Sequence, residues 1–456
     1  MLIHPAIVTG HIQNVDHRLM VKRKNLILAG GERYATLTDA NGLPDFWVTL
    51  FVTVMLRPSH KQNAILNILQ DFAHFRIWEE ITQRDVLSEF GEGRFLSNTD
   101  VTALRDHCAF ESRSLRKWLN VSSQKSVVKF SRSKAIKSGQ FRGVSKAHQS
   151  NRMTHIASYL AFTARAILRQ RPTFSDLDTA ISDMEARILR QRPRVTGRSS
   201  NNDPEDKAPP PKAFESLMKT IEVDSPNNPY KNQNIRFRNA LMFKVMYETG
   251  IRSGELLSLY VDDVMLSENG AKINIERRHD DPYDTRAHQP VVKTLGRKIP
   301  IPSLLAEQLR EYIMQVRARI PGTGGHPLLF VTHHAARAHQ GAPISDSAFR
   351  HRILKRAVEG NSELFEEITR HGFRHTFNYK ISKLIDENNE RAKHDAKIKP
   401  ISEQEEIQIR KYLNGWRSDG SAATYNLRHT KETADTLLRE DAQAQLKHIK
   451  LNRDEL

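Results

Sequence analysis

The feature that most constrains this chain lies near its middle. Residues 194–214, RVTGRSSNNDPEDKAPPPKAF, combine Arg, Ser, Asn, Asp and a proline triplet with almost no apolar content. Such a stretch has nothing to bury and reads as a linker. At 456 residues the chain also exceeds what one ordinary core holds. The sequence therefore predicts separate domains over 45–193 and 215–456, with residues 1–44 left unassigned.

Upstream of the linker the apolar spacing is helical. Ile65, Leu69 and Phe72 fall on one face, as do Met153, Ile156, Leu160 and Ile167. Ser97 and Asp100 before VTALRDHCAF have the form of a capped helix start. FWVTLFVTVML, from Phe46, is ambiguous: its β-branched and aromatic content favours strand, and its surroundings favour helix.

This block also carries a one-sided charge. The whole chain has a formal net charge of +17, and no acidic residue occurs from Ser112 to Ser175. Arg113, Arg116, Lys117, Lys125, Lys129, Arg132, Lys134, Lys137, Arg142, Lys146, Arg152, Arg165, Arg169 and Arg171 accumulate there instead. A face kept merely soluble mixes both signs, so a polyanion is the expected partner, nucleic acid first. No run of eighteen apolar residues and no signal-like N-terminus occur, which predicts a soluble, cytoplasmic protein. Cys108 is the single cysteine, which excludes disulfides and any cysteine-based zinc site.

Downstream, NIRFRNALMFKVMYETG reads as a helix stopped by Gly250, and SGELLSLYVDDV as the next, capped by Ser253 with Arg252 at its foot. INIERR at 273–278 and VVKTLGRKIPIP at 291–302 alternate as strands, with Leu295-Gly296 as a turn and Lys293 just before it. HGFRHTF, at 371–377, sets His371, Arg374 and His375 on one helix face. That face could hold a metal or a phosphate. For metal, Gly372 stands where a zinc-dependent protease carries its glutamate, no third ligand is required by the spacing, and Arg374 sets a fixed cation against the ion. For phosphate, Arg252, Lys293, His371 and Arg374 offer positive and hydrogen-bonding groups from separate segments, ahead of Tyr425 in LNGWRSDGSAATY. Paired arginines neutralise nonbridging oxygens, a tyrosine hydroxyl can attack phosphorus, and a lysine can protonate the leaving oxygen.

TGIRSGELLSL, VVKTLGRKIPIP, HGFRHTF and LNGWRSDGSAATY, in that order, closely resemble the motifs of the tyrosine recombinase (phage integrase) family over residues 215–440. The resemblance implies a fold that is mainly α with a small β-sheet or hairpin, an α+β catalytic domain that forms a DNA clamp with a helical core-binding domain over 45–193. It implies that Arg252, Lys293, His371, Arg374, Trp416 and Tyr425 are catalytic, with Tyr425 the nucleophile and Lys293 the general acid. Glu255 and His375 take supporting roles. Lys125, Lys129, Arg132, Lys134, Lys137, Arg142 and Lys146 would meet the DNA backbone. The expected activity is site-specific DNA cleavage and rejoining through a 3′-phosphotyrosyl bond, with no metal and no cofactor. The expected partners are duplex DNA and three further copies of the chain, and no membrane. A type IB topoisomerase and a silent DNA-binding regulator are the alternatives.

One departure concerns spacing. Forty residues separate Arg374 from Gly415, which makes 384–412 an insertion that could alter contacts between protomers. The pattern KETADTLLREDAQAQLKHI after Tyr425 is a candidate docking tail.

Overall fold

The computed structural model describes residues 21–124, 141–195, 211–334 except 269 and 291, 339–359, 365–366, 368–420, and positions 422, 435, 438 and 439. The chain forms two compact units, Met1–Leu28 with Arg33–Gly197 and Ala29–Glu32 with Arg198–Leu456. Both are mainly helical, each with a small antiparallel sheet. No described helix is long and apolar enough to cross a membrane.

The first unit opens with a hairpin that the sequence reading left unassigned. Strands β1 (Lys22–Ile27) and β2 (Arg33–Thr38) pair antiparallel from Lys22↔Thr38 to Ile27↔Arg33. Ala35 and Leu37 of β2 enter the core. The ambiguous segment is helical: α1 (Phe46–Phe51) starts where the Asp45 carboxylate accepts from the Val48 N–H, and a π-helical turn continues it through Val52–Leu56. Val48, Phe51, Val52 and Leu56 are all buried, and this one-sided burial outweighs their strand preference. They pack with α2 (Gln62–Thr82), α3 (Val86–Gly91), α4 (Asn98–Cys108), α5 (Ser112–Gln124), α6 (Lys146–Leu168) and α7 (Phe174–Arg190). At the start of α4 the Ser97–Asp100 capping box is complete.

Beneath this core lies a buried polar network that changes the reading of the basic run. Arg152 is only 2% exposed. Its guanidinium donates to the carbonyls of Cys108 and Phe110, both at 2.9 Å, to His74 Nε2 at 3.0 Å and to His148 Nε2 at 3.1 Å, and it lies 3.4 Å from Asp71. His155 Nδ1 reaches the other Asp71 oxygen at 2.8 Å. His74 also sets Nε2 3.1 Å from the His107 carbonyl and Nδ1 2.8 Å from Ser112 Oγ. Arg152 is thus a structural cation and not part of a polyanion-facing surface. Arg165 is also engaged, with Asp178 at 2.7 Å and Glu185 at 3.6 Å.

The second unit begins with α8 (Pro211–Thr220), inside the stretch read as linker. Its Ala213, Phe214 and Leu217 are fully buried, so chain that looks polar overall becomes core from its last two residues onward. Helix α9 (Gln233–Thr249) ends at Gly250, whose φ of +60° is left-handed; a Cβ there would lie 2.4 Å from the Phe377 ring. Helix α10 (Ser253–Leu256) is capped by Arg252 and not by Ser253, because the backbone turns into helix one residue earlier than the serine suggested.

Strands β3 (Val264–Ser267), β4 (Gly270–Ile275) and β5 (Arg297–Ile301) form one sheet in chain order. The β4–β5 register runs from Ala271↔Ile301 to Ile275↔Arg297. Strand β5 therefore starts at Arg297, and Leu295-Gly296 belongs to a long β4–β5 connection instead of a tight hairpin turn. Lys293 lies on that connection, exposed.

Helices α11 (Ser303–Glu311), α12 (Asp346–Ala348), α13 (Lys355–Val358), α14 (Gly372–His394) and α15 (Glu403–Asn414) complete the described unit. The expected insertion is largely helix: α14 runs on through it. The 395–402 connection folds back on α14, where Asn389 holds both the N–H and the carbonyl of Ile401 at 2.7 and 3.0 Å, and Asn388 donates to the Lys399 carbonyl at 3.0 Å.

Candidate active site

Three buried arginines assemble the site from the backbone outward. Glu255, 1% exposed, is where their arrangement starts. One carboxylate oxygen accepts from the main-chain N–H of Arg252 at 2.6 Å; the other accepts from Arg297 Nη1 at 2.9 Å and from the Thr294 hydroxyl. Burial works to raise this carboxyl, but the Arg297 ion pair and hydrogen bond, with Arg374 and Thr294, hold it below the ordinary carboxylate range. A buried anion thereby joins the Arg252 turn to the segment carrying Lys293.

Arg297 extends the link. Its Nε donates to the Leu413 carbonyl at 2.7 Å and its Nη1 to the Leu295 carbonyl at 3.2 Å. The Leu295 N–H donates to the Gly415 carbonyl at 2.9 Å. Gly415 has a φ of +63°, and a Cβ on it would meet Arg297 Nη1 and the Leu295 carbonyl at 2.8 Å. Only glycine lets the end of α15 lie this close.

Arg374, 4% exposed, ties in the remaining segments. It donates to the Gly250 carbonyl at 3.2 Å and to the Asn414 carbonyl at 2.7 Å, and its guanidinium carbon lies 5.2 Å from the Trp416 ring centroid. Consecutive carbonyls at the end of α15 are thus bound by two different arginines, which suits the negative end of a helix. Arg374, Asn378 and Ser382 recur every four residues on α14 and face Asn414, Arg410 and Glu406 on α15. Asn378 and Asn414 exchange amide hydrogen bonds at 2.9 and 3.1 Å, and the fully buried Arg410 reaches Ser382 Oγ at 2.6 Å and Glu406 at 2.9 Å through Nε.

His371 precedes α14, exposed and at its N-cap. Partial burial, then the nearby charges of Arg370, Arg252, Arg374 and Lys293, lower its pKa from 6.5. Three motif cations, Arg252, Arg374 and Lys293, therefore bear on one imidazole and favour its neutral form. His375 follows on α14, half-buried, its N–H bonded to the His371 carbonyl at 3.0 Å.

Tyr425 lies outside the described residues, as do Lys125, Lys129, Arg132, Lys134, Lys137 and nearly all of the candidate tail. Lys146 is exposed at the start of α6, and Arg142 is exposed with Glu111 at 3.8 Å. Among the described residues no cluster of His, Cys, Asp or Glu could hold a metal ion. Sequence reasoning missed Thr294, Arg297, Asn378, Arg410 and Asn414. The four-residue recurrence of polar side chains on α14 and α15 is the signal that would have found the last three.

Residues 211–384 match the phage integrase family model, the family that the motif order resembles. Among curated proteins it is similar to tyrosine recombinase XerD of Halalkalibacterium halodurans, 27% identical over 187 residues, 39% of this chain and 53% of that protein. It is also similar to tyrosine recombinase XerC of Herpetosiphon aurantiacus, 30% identical over 142 residues, 30% of this chain and 38% of that one. The chain thus spans about half the length of the first relative and less of the second. Solved structures matched include the XerH site-specific recombinase bound to its difH substrate, with TM-score 0.36 and 14% identity over 84% of this chain and 92% of that one. The Tn1549 transposon integrase in complex with circular intermediate DNA matches with TM-score 0.39 and 16% identity over 83% and 93%.

Proposed function

We propose that this chain cleaves and rejoins duplex DNA at specific sites as a tyrosine recombinase. What supports this reading is that the charges of Arg252, Lys293 and Arg374 all bear on His371 and favour its neutral form, in a chain whose residues 211–384 match the phage integrase family model and whose motif order runs on to Tyr425. In the proposed step the Tyr425 oxygen attacks phosphorus and its proton passes to His371. The bond to the 5′-oxygen breaks, and that oxygen takes a proton from the Lys293 ammonium. Arg252 and Arg374 neutralise the nonbridging oxygens, and Trp416 offers an indole N–H. Rejoining is the reverse, so the bond energy is kept as a 3′-phosphotyrosyl ester and neither metal nor nucleotide is consumed. The working form is a homotetramer on two DNA sites in the cytoplasm, and the exposed basic residues of the first unit contact phosphates.

A suicide duplex nicked beside the cleavage point should trap the chain covalently in EDTA, and Tyr425→Phe should bind DNA without forming the adduct. Trapping that needs a divalent metal, or that survives in Tyr425→Phe, overturns the mechanism. Lys293→Ala should lose about 10²–10⁴-fold in cleavage and recover on a 5′-bridging phosphorothiolate, whose sulfur departs unprotonated. Arg374→Ala should not recover.

A further inference from the structure

The segment just before His371 carries a cation that no motif uses. Arg370 is half-buried, and its Nη1 lies 2.8 Å from Asp346 Oδ1 and 3.3 Å from the hydroxyl of Ser253, the residue after Arg252. The other Asp346 oxygen holds Arg350 Nε at 3.1 Å. One carboxylate therefore bridges two guanidiniums with one oxygen each, at the edge of the site. Among the charges that bear on His371, Arg370 ranks ahead of Arg252, Arg374 and Lys293.

We infer that Arg370 is a further DNA-phosphate ligand and that Asp346 occupies it until DNA arrives. The inference rests on the proposed function, and the ligand is a backbone phosphate adjacent to the one that is cleaved. Two arguments support it. A phosphodiester presents two nonbridging oxygens in the manner of the Asp346 carboxylate and is the better partner for an arginine fork. The three side chains are 31–44% exposed, and ion pairs so exposed hold weakly, so exchange of carboxylate for phosphate meets little resistance. The trio keeps one net positive charge, which favours an incoming anion. Ser253 fixes the distance to Arg252, so the second phosphate is read together with the first.

The test is DNA binding by the full chain as a function of salt, with duplexes carrying a neutral methylphosphonate at each position around the cleavage point. Arg370→Ala should make the logarithmic salt slope shallower by about one unit. One methylphosphonate position should weaken wild-type binding and leave Arg370→Ala binding unaffected. Asp346→Asn should tighten binding, since it releases Arg370 from its internal acceptor. An unchanged salt slope with an unchanged methylphosphonate profile in Arg370→Ala overturns the inference. So does an Asp346→Asn variant that weakens binding, which is what a purely structural ion pair requires. If Arg370→Ala fails to fold, the Asp346→Asn result decides. Covalent trapping of the wild type through Tyr425, alongside either negative result, leaves the recombinase reading standing and removes only Arg370.

Discussion

Each unit buries an arginine network against the carbonyl end of a helix, and the two networks differ in what balances the charge. In the first, Arg152 meets the carbonyls of Cys108 and Phe110 where α4 ends, and its surroundings are one aspartate and three histidines. In the second, Arg297 and Arg374 meet Leu413 and Asn414 where α15 ends, and the balance is the buried carboxylate of Glu255. The first network closes the base of the basic stretch that begins in α5. The second draws together four motif segments from positions far apart in the chain. One physical device thus serves architecture in one unit and site assembly in the other, and the partner chosen sets how each fails.

The largest difference should appear on removing the cation. Arg297→Met leaves Glu255 buried without its ion pair and should cost about 3–5 kcal/mol, measured by urea unfolding. Arg152→Met leaves Asp71 still bonded to His155 and should cost less, about 1–3 kcal/mol. Equal losses would mean that the two networks are not distinguished by their anions.

Acid should separate them next. Burial first, and then nearby charge, lowers His74 well below 6.5, and burial takes His107 down to about 3. A histidine whose folded pKa is depressed binds fewer protons folded than unfolded. Its contribution is therefore complete above pH 6.5 and declines as pH falls from there toward the folded value. At about 1.4 kcal/mol per pH unit, His107 alone should remove roughly 2 kcal/mol between pH 6.5 and 5. Glu255 has a window of the same sign at lower pH: its folded pKa is below 4.5, so its contribution persists above that value and is lost only in stronger acid. Hydrogen exchange corrected for intrinsic rates should show α2 and α4 opening at pH 5 while α14 and α15 stay protected. His326 and His333 are also depressed and give the second unit an acid weakness of its own, and His371, depressed at the N-cap of α14, limits the protected part of that helix to the turns beyond its first. Loss of protection in that seam first would reverse the assignment.

Two glycines bring the comparison down to single positions. Gly42 and Gly415 both have left-handed φ, +87° and +63°. A Cβ at Gly42 would meet nothing within 4 Å, so Gly42→Ala should cost only the backbone strain, about 1–2 kcal/mol. Gly415→Ala carries the same strain and must also push the 294–297 segment away, so it should cost more and depress DNA cleavage as well. Cleavage that follows stability alone would show that the approach of α15 to Leu295 does not position Trp416.

What was legible in the sequence follows the same division. Helical periodicity, the Ser97 cap and the Gly250 stop could be read because each is local. The resemblance to the phage integrase family could be read because the order of the motifs is specific, and residues 211–384 match that family's model. Arg297, Arg410 and Arg152 could not, because an arginine that caps distant carbonyls looks in sequence like any surface charge. The β1–β2 hairpin escaped for a related reason: β1 is mostly exposed, and β2 buries more than one face, so neither alternates cleanly. The tight turn read at Leu295-Gly296 was misplaced because the alternation over 291–302 begins before the point where pairing with β4 starts, at Arg297.

The smallest effect tests the basic run itself. Fourteen cations between Ser112 and Ser175 looked alike, and the structure sorts those it describes by partner. Arg152 is buried, Arg165 is held by Asp178 and Glu185, Arg142 is 81% exposed with Glu111 only at 3.8 Å, and Lys146 is exposed. Of these four, only Arg142 and Lys146 are placed to release counterions from phosphates if the run meets DNA. Arg142→Ala and Lys146→Ala should each make the salt dependence of binding shallower by about one unit, uniformly across DNA sequences. Arg165→Ala should leave the slope unchanged, because its charge is already answered within α7. A slope that falls equally for all three would mean that the Arg165 ion pairs open on DNA, and that pairing in the free protein does not decide which cations a phosphate can recruit.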